Sequence, residues 1–452
     1  MSPRRSASSS PRLLTARFER VVSELALPEG AALVAVSGGP DSLALLDLLA
    51  NAKALQSLRF VVAHFDHGIH PASAAVAERV RGLAERYALP FERERAELGA
   101  AATETSARRH RRAWLLARAE ALSASTIFTA HHRDDQVETL LMRFLRGSGP
   151  AGLAGMPIRH GRWVRPLLEF SKAELEAHLR ARDLEGWEDP ANRDPRHLRG
   201  WLRTEVLPLL EQRLPRIRDD LLTAQRVSEE QRAAWDRLLF ELPNLDVGLE
   251  PHAVSVAASS LHGYSSTIAR MLIRALALRL ELGVGRAEVD RLELLLRQGH
   301  TGQTIDLRAG ARAELSFGRL RLFRCPVHPT DGSTRLLGEA GRAEWGNWVL
   351  EWRPEVGVQP IERREWTTRV ESGADLLLRE WRPGDRVRPL GGRGSRLVVR
   401  CMQDAKIARS RRPGWPVVEW NGQVVWVPGV CRADLLVPAP AEKATRIDAS
   451  AR

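Results

Sequence analysis

An apolar run from Ala31 to Val36 is followed by Ser37-Gly38-Gly39-Pro40-Asp41-Ser42 and then by Leu43, Leu45, Leu46, Leu48 and Leu49. A short buried strand, a glycine turn and the start of a buried helix make a cradle for phosphate. Gly38 and Gly39 allow close approach of the backbone to an anion, and the free N–H groups and dipole of the helix start favour negative charge. Ser37 and Ser42 add hydroxyl donors. Asp41 is the unusual member: beside phosphates a carboxylate is repelled unless a cation lies between, so it reads as a Mg²⁺ ligand. The lysine of a G-x-x-x-x-G-K-[ST] loop is missing, so that motif is excluded. A bare Gly-Gly would read as an ordinary turn; the full hexapeptide after a strand points to phosphate.

At 452 residues the chain exceeds one core and implies two or three domains. No uncharged apolar run reaches the roughly 18 residues a membrane span needs. Met1 to Arg12 is Ser- and Arg-rich with no apolar core, which reads as a disordered basic tail rather than a secretory signal. Cys325, Cys401 and Cys431 lie far apart in the last third. That fits a reducing cytoplasm and offers no Cys-x-x-Cys site for zinc or iron–sulfur. A net charge of +12 suggests a polyanionic partner.

After the loop, helices alternate with short apolar strands. Strands are expected at 59–64, 90–95 and 126–130, with helices at 73–87 and 106–122. This is the pattern of βαβ crossovers and a mostly parallel sheet, in which ligands bind at the carboxyl ends of strands. Ser37–Ser42, Asp66–Gly68 and His131–Asp135 all follow strands directly and should converge. His131-His132-Arg133-Asp134-Asp135 leads into a helix through Glu138. Spacing of four puts Asp134 and Glu138 on one helix face, and His131 near Asp135 if the helix begins early. Zinc lacks support from further ligands, and the alternative to a site is capping plus a solvated acidic face. Arg108, Arg109, Arg111 and Arg112 precede this segment, as a solvated face or a phosphate clamp. Arg146 to Met156 is a glycine-rich shaped loop. Ser171-x-x-Glu174 is a capping box opening a helix to Arg182.

The hexapeptide resembles the PP-loop of the ATP pyrophosphatase superfamily. Closer resemblance is carried by His64-Phe-Asp66-His67-Gly68, Ala107-Arg108-x-x-Arg111 and Ala130-His-His-x-Asp134-Asp135-Gln-x-Glu138-Thr. It continues in Arg146-Gly-Ser-Gly-x-x-Gly-Leu-x-Gly-Met156, Arg165-Pro-Leu-Leu168, Glu188-Asp-Pro-x-Asn192-x-Asp194 and Leu207-Pro-x-Leu210. In that order these segments are similar to tRNA(Ile)-lysidine synthetases over residues 31 to 210. The family often has Arg-Tyr where this chain has Arg111-Arg112, and Arg-Asn where it has Arg199-Gly200. Trp381-Arg-Pro-Gly384-Asp385-Arg386-Val-Arg388-Pro389 and Trp426-Val-Pro-Gly429 resemble the family's C-terminal domain.

The resemblance implies an α/β fold: a parallel-sheet, adenine nucleotide alpha hydrolase-like PP-loop domain, then a helical domain and a small β-rich C-terminal domain. Expected boundaries are a basic tail (1–15), the catalytic domain (16–215), a helical tRNA-binding domain with a β edge (216–328), a linker (326–341), a basic β-rich tRNA-binding domain (343–437) and a disordered tail (438–452). The tryptophans from Trp345 onward read as core rather than as base-stacking platforms. Arg393, Arg396, Arg400, Arg409, Arg411 and Arg412 make the C-terminal domain basic.

The implied reaction joins free L-lysine to C2 of the wobble cytidine of an isoleucine tRNA with a CAU anticodon, through an adenylated cytidine, releasing AMP and pyrophosphate. Ser37, Gly38, Gly39, Pro40, Asp41 and Ser42 would hold ATP, with Mg²⁺ on Asp41. Asp41, Arg108, Arg111, His131, Asp135 and Glu138 form the expected catalytic set. His132, Asp134, Asp135 and Glu138 would meet lysine or cytidine. The implied location is the cytoplasm, with no membrane partner; the oligomeric state is open, a homodimer included. Three rivals stand beside this. A tRNA thiolase needs cysteine, and residues 1–324 have none. A small-molecule synthetase would not need the basic C-terminal domain. A non-catalytic tRNA binder would not need Asp41 or the acidic helix.

Overall fold

The structure, a computed structural model, describes residues 11–68, 73–96, 104–187, 194–250, 252–324, 332–356, 365–439 and 442–451. It divides into two compact units, 1–233 and 234–452.

The first unit runs α1 (Pro11–Glu24), β1 (Gly30–Ala35), α2 (Pro40–Ala50), β2 (Leu58–Asp66), α3 (Ser73–Arg86), β3 (Phe91–Arg95), α4 (Glu104–Ala121) and β4 (Thr126–Phe128). It continues with α5 (Arg133–Leu145), α6 (Pro150–Leu153), β5 (Arg159–His160), β6 (Trp163–Val164), α7 (Lys172–Ala181), α8 (Leu198–Trp201), a π-helical turn (Leu202–Val206), α9 (Leu207–Arg213) and α10 (Ile217–Glu241). The sheet order is β3-β2-β1-β4-β6-β5, parallel except for β5. From β1 the chain winds outward through β2 and β3, then returns through α4 to place β4 on the other side of β1. The strand order therefore reverses between β1 and β4, the position where open α/β sheets bind ligands. One face of the sheet is covered by α1, α2, α3 and α7, the other by α4.

The expected tail at 1–15 is corrected in part. Helix α1 begins at Pro11, because Leu14, Phe18, Val21 and Val22 form a helical stripe that is buried against the sheet; residues 1–10 lie outside the described residues. The capping box of α7 forms: Ser171 N–H donates to Glu174 Oε2 (2.8 Å), and Glu174 N–H donates to Ser171 Oγ (3.3 Å).

Behind the loop-bearing helix α2 lies a polar cluster. Asp47, 2 % exposed, faces His178 Nε2 at 2.7 Å, accepts from Arg182 Nη2 at 3.0 Å and also accepts from the Tyr87 hydroxyl. Burial opposes ionisation of Asp47, but those hydrogen bonds prevail and hold its pKa at about 2. The cluster joins α2, α3 and α7 across the sheet-covering layer.

The second unit opens with the end of α10, then β7 (Val247–Glu250), β8 (Ala253–Ala257), α11 (Ala258–His262), α12 (Ser266–Arg279), α13 (Arg286–Gln298), β9 (Gln303–Asp306), β10 (Ala311–Ser316) and β11 (Arg319–Arg324). Here the expected β edge is a full antiparallel sheet, β7-β8-β11-β10-β9, with helices packed on one face. Next come β12 (Ser333–Leu336), β13 (Gly341–Trp345), β14 (Trp348–Val356), β15 (Thr367–Glu371), β16 (Leu376–Glu380), β17 (Arg386–Val387), β18 (Arg396–Leu397), α14 (Val398–Asp404), β19 (Pro416–Trp420), β20 (Gln423–Val427), β21 (Cys431–Arg432) and β22 (Lys443–Ala451). Two sheets, β12-β16-β19-β20-β21 and β13-β14-β22-β15, share one core.

Two expectations fail here. The segment expected as a linker contains β12, which pairs with β16. The expected disordered tail contains β22, which is an interior strand, paired with β14 along its length and with β15. Pairing on both edges and the burial of Ala444, Ile447 and Ala449 supply what a charged, proline-flanked segment does not advertise. Trp345, Trp352, Trp415 and Trp426 are buried, as a core reading requires, whereas Trp366 is 44 % exposed. No described helix is long and apolar enough to cross a membrane.

The folded pKa of Asp47 lies below its unfolded value, so its contribution is present above about pH 4 and lost as pH falls through about 2. Asp47→Asn should lower stability by about 2 kcal/mol at pH 7, and the difference from wild type should shrink towards pH 2. Urea unfolding across that range measures it.

Candidate functional site

The loop after β1 is fixed by its own side chains. Ser42 Oγ accepts from Gly38 N–H (3.2 Å), donates to the Gly39 carbonyl (2.8 Å) and lies 3.3 Å from Ser37 Oγ. Gly38 has φ +88°, and a Cβ there would collide with Val76 of α3, so glycine is required twice over. Gly39 is the N-cap, with ordinary extended backbone, and Pro40 opens the helix where no N–H is needed. From outside, Trp187 N–H donates to the Gly38 carbonyl (3.0 Å), and Gly186 packs so tightly on Pro40 that a Cβ would sit 2.6 Å from its Cα. His64, at the end of β2, contacts the Val36 carbonyl through Nδ1 (2.8 Å). Burial lowers its pKa, so the neutral ring donates there and steadies the entry to the loop.

The segment after β4 faces this loop across the switch point. His132 is the N-cap of α5 and is buried, and Asp135 Oδ2 accepts from its backbone N–H (3.0 Å). Its ring is ringed by carboxylates: Asp41 at 3.5 Å and Asp134 and Asp135 at 3.6 Å each. Burial works against the charge, but the three acids raise the His132 pKa to about 10. His131 goes the other way. Burial pushes it down to about 4, and Arg165, Arg199 and Arg111 reinforce that against Asp135. Adjacent histidines are thus cationic and neutral at pH 7. Thr129 Oγ1 lies 3.0 Å from His131 Nδ1.

The three acids of α5, Asp134, Asp135 and Glu138, separate into different tasks. Asp134 accepts from Lys172 N–H (2.8 Å) and Arg218 Nη1 (2.8 Å), tying α5 to α7 and α10. Burial opposes its ionisation, yet His132, that N–H and Arg218 hold it far below the carboxylate range. Asp135 and Glu138 instead share arginines. Arg199 donates from Nε to Glu138 Oε2 (2.7 Å) and from Nη2 to Asp135 Oδ1 (2.8 Å). Arg203 donates from Nε to Glu138 Oε1 (2.5 Å). The face expected to carry Asp134 with Glu138 therefore carries Asp135 with Glu138, because the helix begins at Arg133 and position 134 turns towards α7.

Sequence reasoning assigned no role to Arg199 and Arg203. Their spacing of four on a helical segment was the available signal; their partners lie some sixty residues upstream. Gly200 between them packs against the Asp194 backbone so closely that a Cβ would strike its carbonyl. Arg111 is partly buried on α4; burial, then Arg108, lowers its pKa, and it makes no ion pair among the described residues. Arg108 is exposed. Arg112 stacks over Trp163 at 4.8 Å. Of the glycine-rich loop, Arg143 Nη1 binds the carbonyls of Gly152 (2.7 Å) and Gly155 (2.9 Å), and Gln136 pairs with the backbone of Met156 (2.7 and 2.8 Å). Residues 188–193, including Asn192, lie outside the described residues.

No cluster of three metal-binding side chains occurs among the described residues. Mg²⁺ asks for less: one or two carboxylates, with phosphate oxygens and water completing its shell. Asp41 fits that, since its Oδ1 is buried without a hydrogen-bond partner among the described residues. Gly38→Ala is expected to weaken ATP binding about tenfold or more with helix content unchanged. Gly39→Ala should leave the loop folded, because its Cβ would meet nothing nearer than 3.6 Å. Isothermal titration with ATP, beside circular dichroism, checks both.

Residues 13–210 match the PP-loop domain model, and residues 376–449 match the TilS substrate C-terminal domain. The tRNA(Ile)-lysidine synthase of Symbiobacterium thermophilum is 34 % identical, over 90 % of this chain and 90 % of that one. That of Geobacter sulfurreducens is 32 % identical, with the same coverage of both chains. That of Alkalilimnicola ehrlichii is 33 % identical, covering 91 % of this chain and 92 % of that one.

Proposed function

The chain belongs to the tRNA(Ile)-lysidine synthase family, and on that premise we propose that it joins free L-lysine to C2 of the wobble cytidine of the CAU-anticodon isoleucine tRNA. As an ATP-dependent, tRNA-modifying ligase it has a chemical problem to solve: the C2 oxygen of cytosine is a poor leaving group. In the proposed first step, O2 attacks the α-phosphorus of ATP and pyrophosphate departs, leaving an adenylated cytidine. In the second, the lysine ε-amine attacks C2, AMP leaves with the former O2, and the amine gives up its proton.

The loop supports the first step. Ser37, the Gly38 and Gly39 backbone and Ser42 suit the β- and γ-phosphates, at a helix N-terminus. Asp41 would hold Mg²⁺, which when bound neutralises phosphate charge. Arg108 and Arg111 suit phosphate charge as it shifts, and His131, neutral at pH 7, suits the uncharged cytosine ring. Asp135 and Glu138 support the second step. Asp134, held by Lys172 and Arg218, and Asp135 and Glu138, which share Arg199 and Arg203, are the acids that would meet the ammonium groups, with Asp135 or Glu138 taking the proton. Arg199 and Arg203 supply the positive charge that faces this pair in a buried setting. His132 stands between loop and acids, within 3.6 Å of carboxylates from both. The reaction is proposed to run in the cytoplasm, where its substrates are.

The observation that carries this reading is the meeting of Asp41 of the loop with Asp134 and Asp135 of α5 around one histidine, His132, at the switch point. Incorporation of labelled lysine into unfractionated bacterial tRNA, with and without ATP, tests it. ATP-dependent label in an isoleucine tRNA, lost in Asp41→Ala, is expected. AMP formation without lysine transfer would move the substrate elsewhere, and tRNA binding without AMP would leave a non-catalytic binder. Glu138→Gln should lower kcat by about 10²-fold, measured in the same assay at saturating ATP.

A further inference from the structure

Strand alternation puts Glu314 on the wrong side to be buried. In β10, Ala313 and Leu315 enter the helix-covered core, so Arg312, Glu314 and Ser316 belong to the opposite face. Arg312 is exposed, as that face predicts. Glu314 is 0 % exposed.

Its cover comes from a basic turn far along the same unit. Glu314 Oε1 accepts from the backbone N–H of Arg409 (3.0 Å), and Oε2 accepts from that of Ser410 (3.0 Å). Arg321 is the direct cross-strand neighbour of Glu314. It donates from Nη1 to Ser410 Oγ (2.7 Å) and from Nη2 to Glu250 Oε2 (2.7 Å). Arg411 Nε stands 3.9 Å from Glu250 Oε1. The junction is thus a set of directional bonds, not an apolar patch. A carboxylate holding two consecutive amides fixes both the position and the orientation of the turn, and a buried polar contact tolerates no sliding.

What the turn presents is positive. The Arg409 side chain is exposed and has no ion pair among the described residues, and Arg400 and Lys406 are exposed close by in the chain. The carboxylates nearest in sequence or contact are already engaged: Asp404 with Arg396 at 2.8 Å and Glu250 with Arg321 at 2.7 Å. Such a surface fits a phosphate backbone.

We propose that Glu314 is a positioning residue for tRNA binding: it docks the Arg409–Arg411 turn on the middle sheet and so sets where Arg409 meets a backbone phosphate of the tRNA. This rests on tRNA being the substrate. The two tRNA-binding modules of the second unit then act as one surface rather than as two tethered ones.

The test uses the full chain and transcribed isoleucine tRNA, without ATP, over a range of salt. Arg409→Gln should reduce the slope of log K against log salt by about one. Glu314→Gln should do the same, with affinity about tenfold weaker and ATP binding at the loop unchanged. The double variant should be no worse than the weaker single one, since Glu314 acts through Arg409. Wild-type affinity and slope in Glu314→Gln, or additive losses in the double variant, would overturn the proposal. Native-state hydrogen exchange tests it without substitution: the Arg409 and Ser410 amides should be strongly protected, and free exchange would also sink it. If the wild-type chain binds no tRNA, the parent reading falls and this one with it. Binding that ignores Glu314 removes this one alone.

Discussion

Glu138 is a carboxylate taken almost wholly out of water, and the catalytic unit is arranged around compensating it. Its side chain is 2 % exposed. A lone buried charge costs several kcal/mol, so partners must be supplied with good geometry. Helix α5 cannot supply them, since its own cations point elsewhere. They arrive from Arg199 and Arg203, on a segment that returns only after β6 and α7. The π-helical turn at Leu202–Val206 lies within this return, and Leu202 and Leu207 beside it pack against Val137 and Leu141 of α5. Apolar packing on one face of α5 and ion pairing on the other therefore fix the same pair of segments. The acids and the guanidinium groups that face them are thus held together in a site largely closed to water.

The neighbouring histidines show how position alone divides one chemistry into two. His131 and His132 have the same intrinsic pKa and adjoining backbone. Burial, reinforced by arginines, drives one down to about 4; three carboxylates overcome burial and drive the other up to about 10. The helix start between them is the cause. It turns His132 inward as N-cap towards Asp134 and Asp135, and leaves His131 on the strand side, beside Thr129 and the arginines. A cation at His132 also offsets Asp41, which lets an acid stand in a phosphate loop before any ligand arrives.

Local signals were legible in the sequence, and long-range pairings were not. The loop at 37–42, the alternation that builds the parallel sheet, the capping box at Ser171 and the convergence of segments after β1 and β4 all follow from patterns within a few residues of one another. Arg199 and Arg203 stood in plain view, but their meaning depends on Asp135 and Glu138, 61 to 65 positions away. Likewise β22 is a strand because β14 and β15 bracket it, not because Lys443–Ala451 has strong strand propensity. The middle sheet was read as an edge because β7 and β9 are only four residues each and partly polar.

Net charge is the sequence property that changes most in meaning once the fold is known. A value of +12 suggested a polyanion, yet Arg369, Arg379 and Arg432 are buried and other arginines are held in ion pairs. Arg432 is fully buried and donates to five backbone carbonyls: those of Val425, Arg369, Ala433, Leu435 and Leu436. Burial lowers its pKa to about 10, so it still carries its charge at pH 7, spent on stitching β15 and β20 to the crossover that leads to β22. Arg379 bridges Asp385 and Glu419 in the same module, and Arg199, Arg203 and Arg218 are consumed in the catalytic unit. The guanidinium's five fixed donors explain the preference: a lysine could not satisfy several carbonyls or two carboxylates at once. An RNA-binding surface must then be sought where arginines lack such partners, and it is the arrangement of those few, rather than the total, that carries information about the partner.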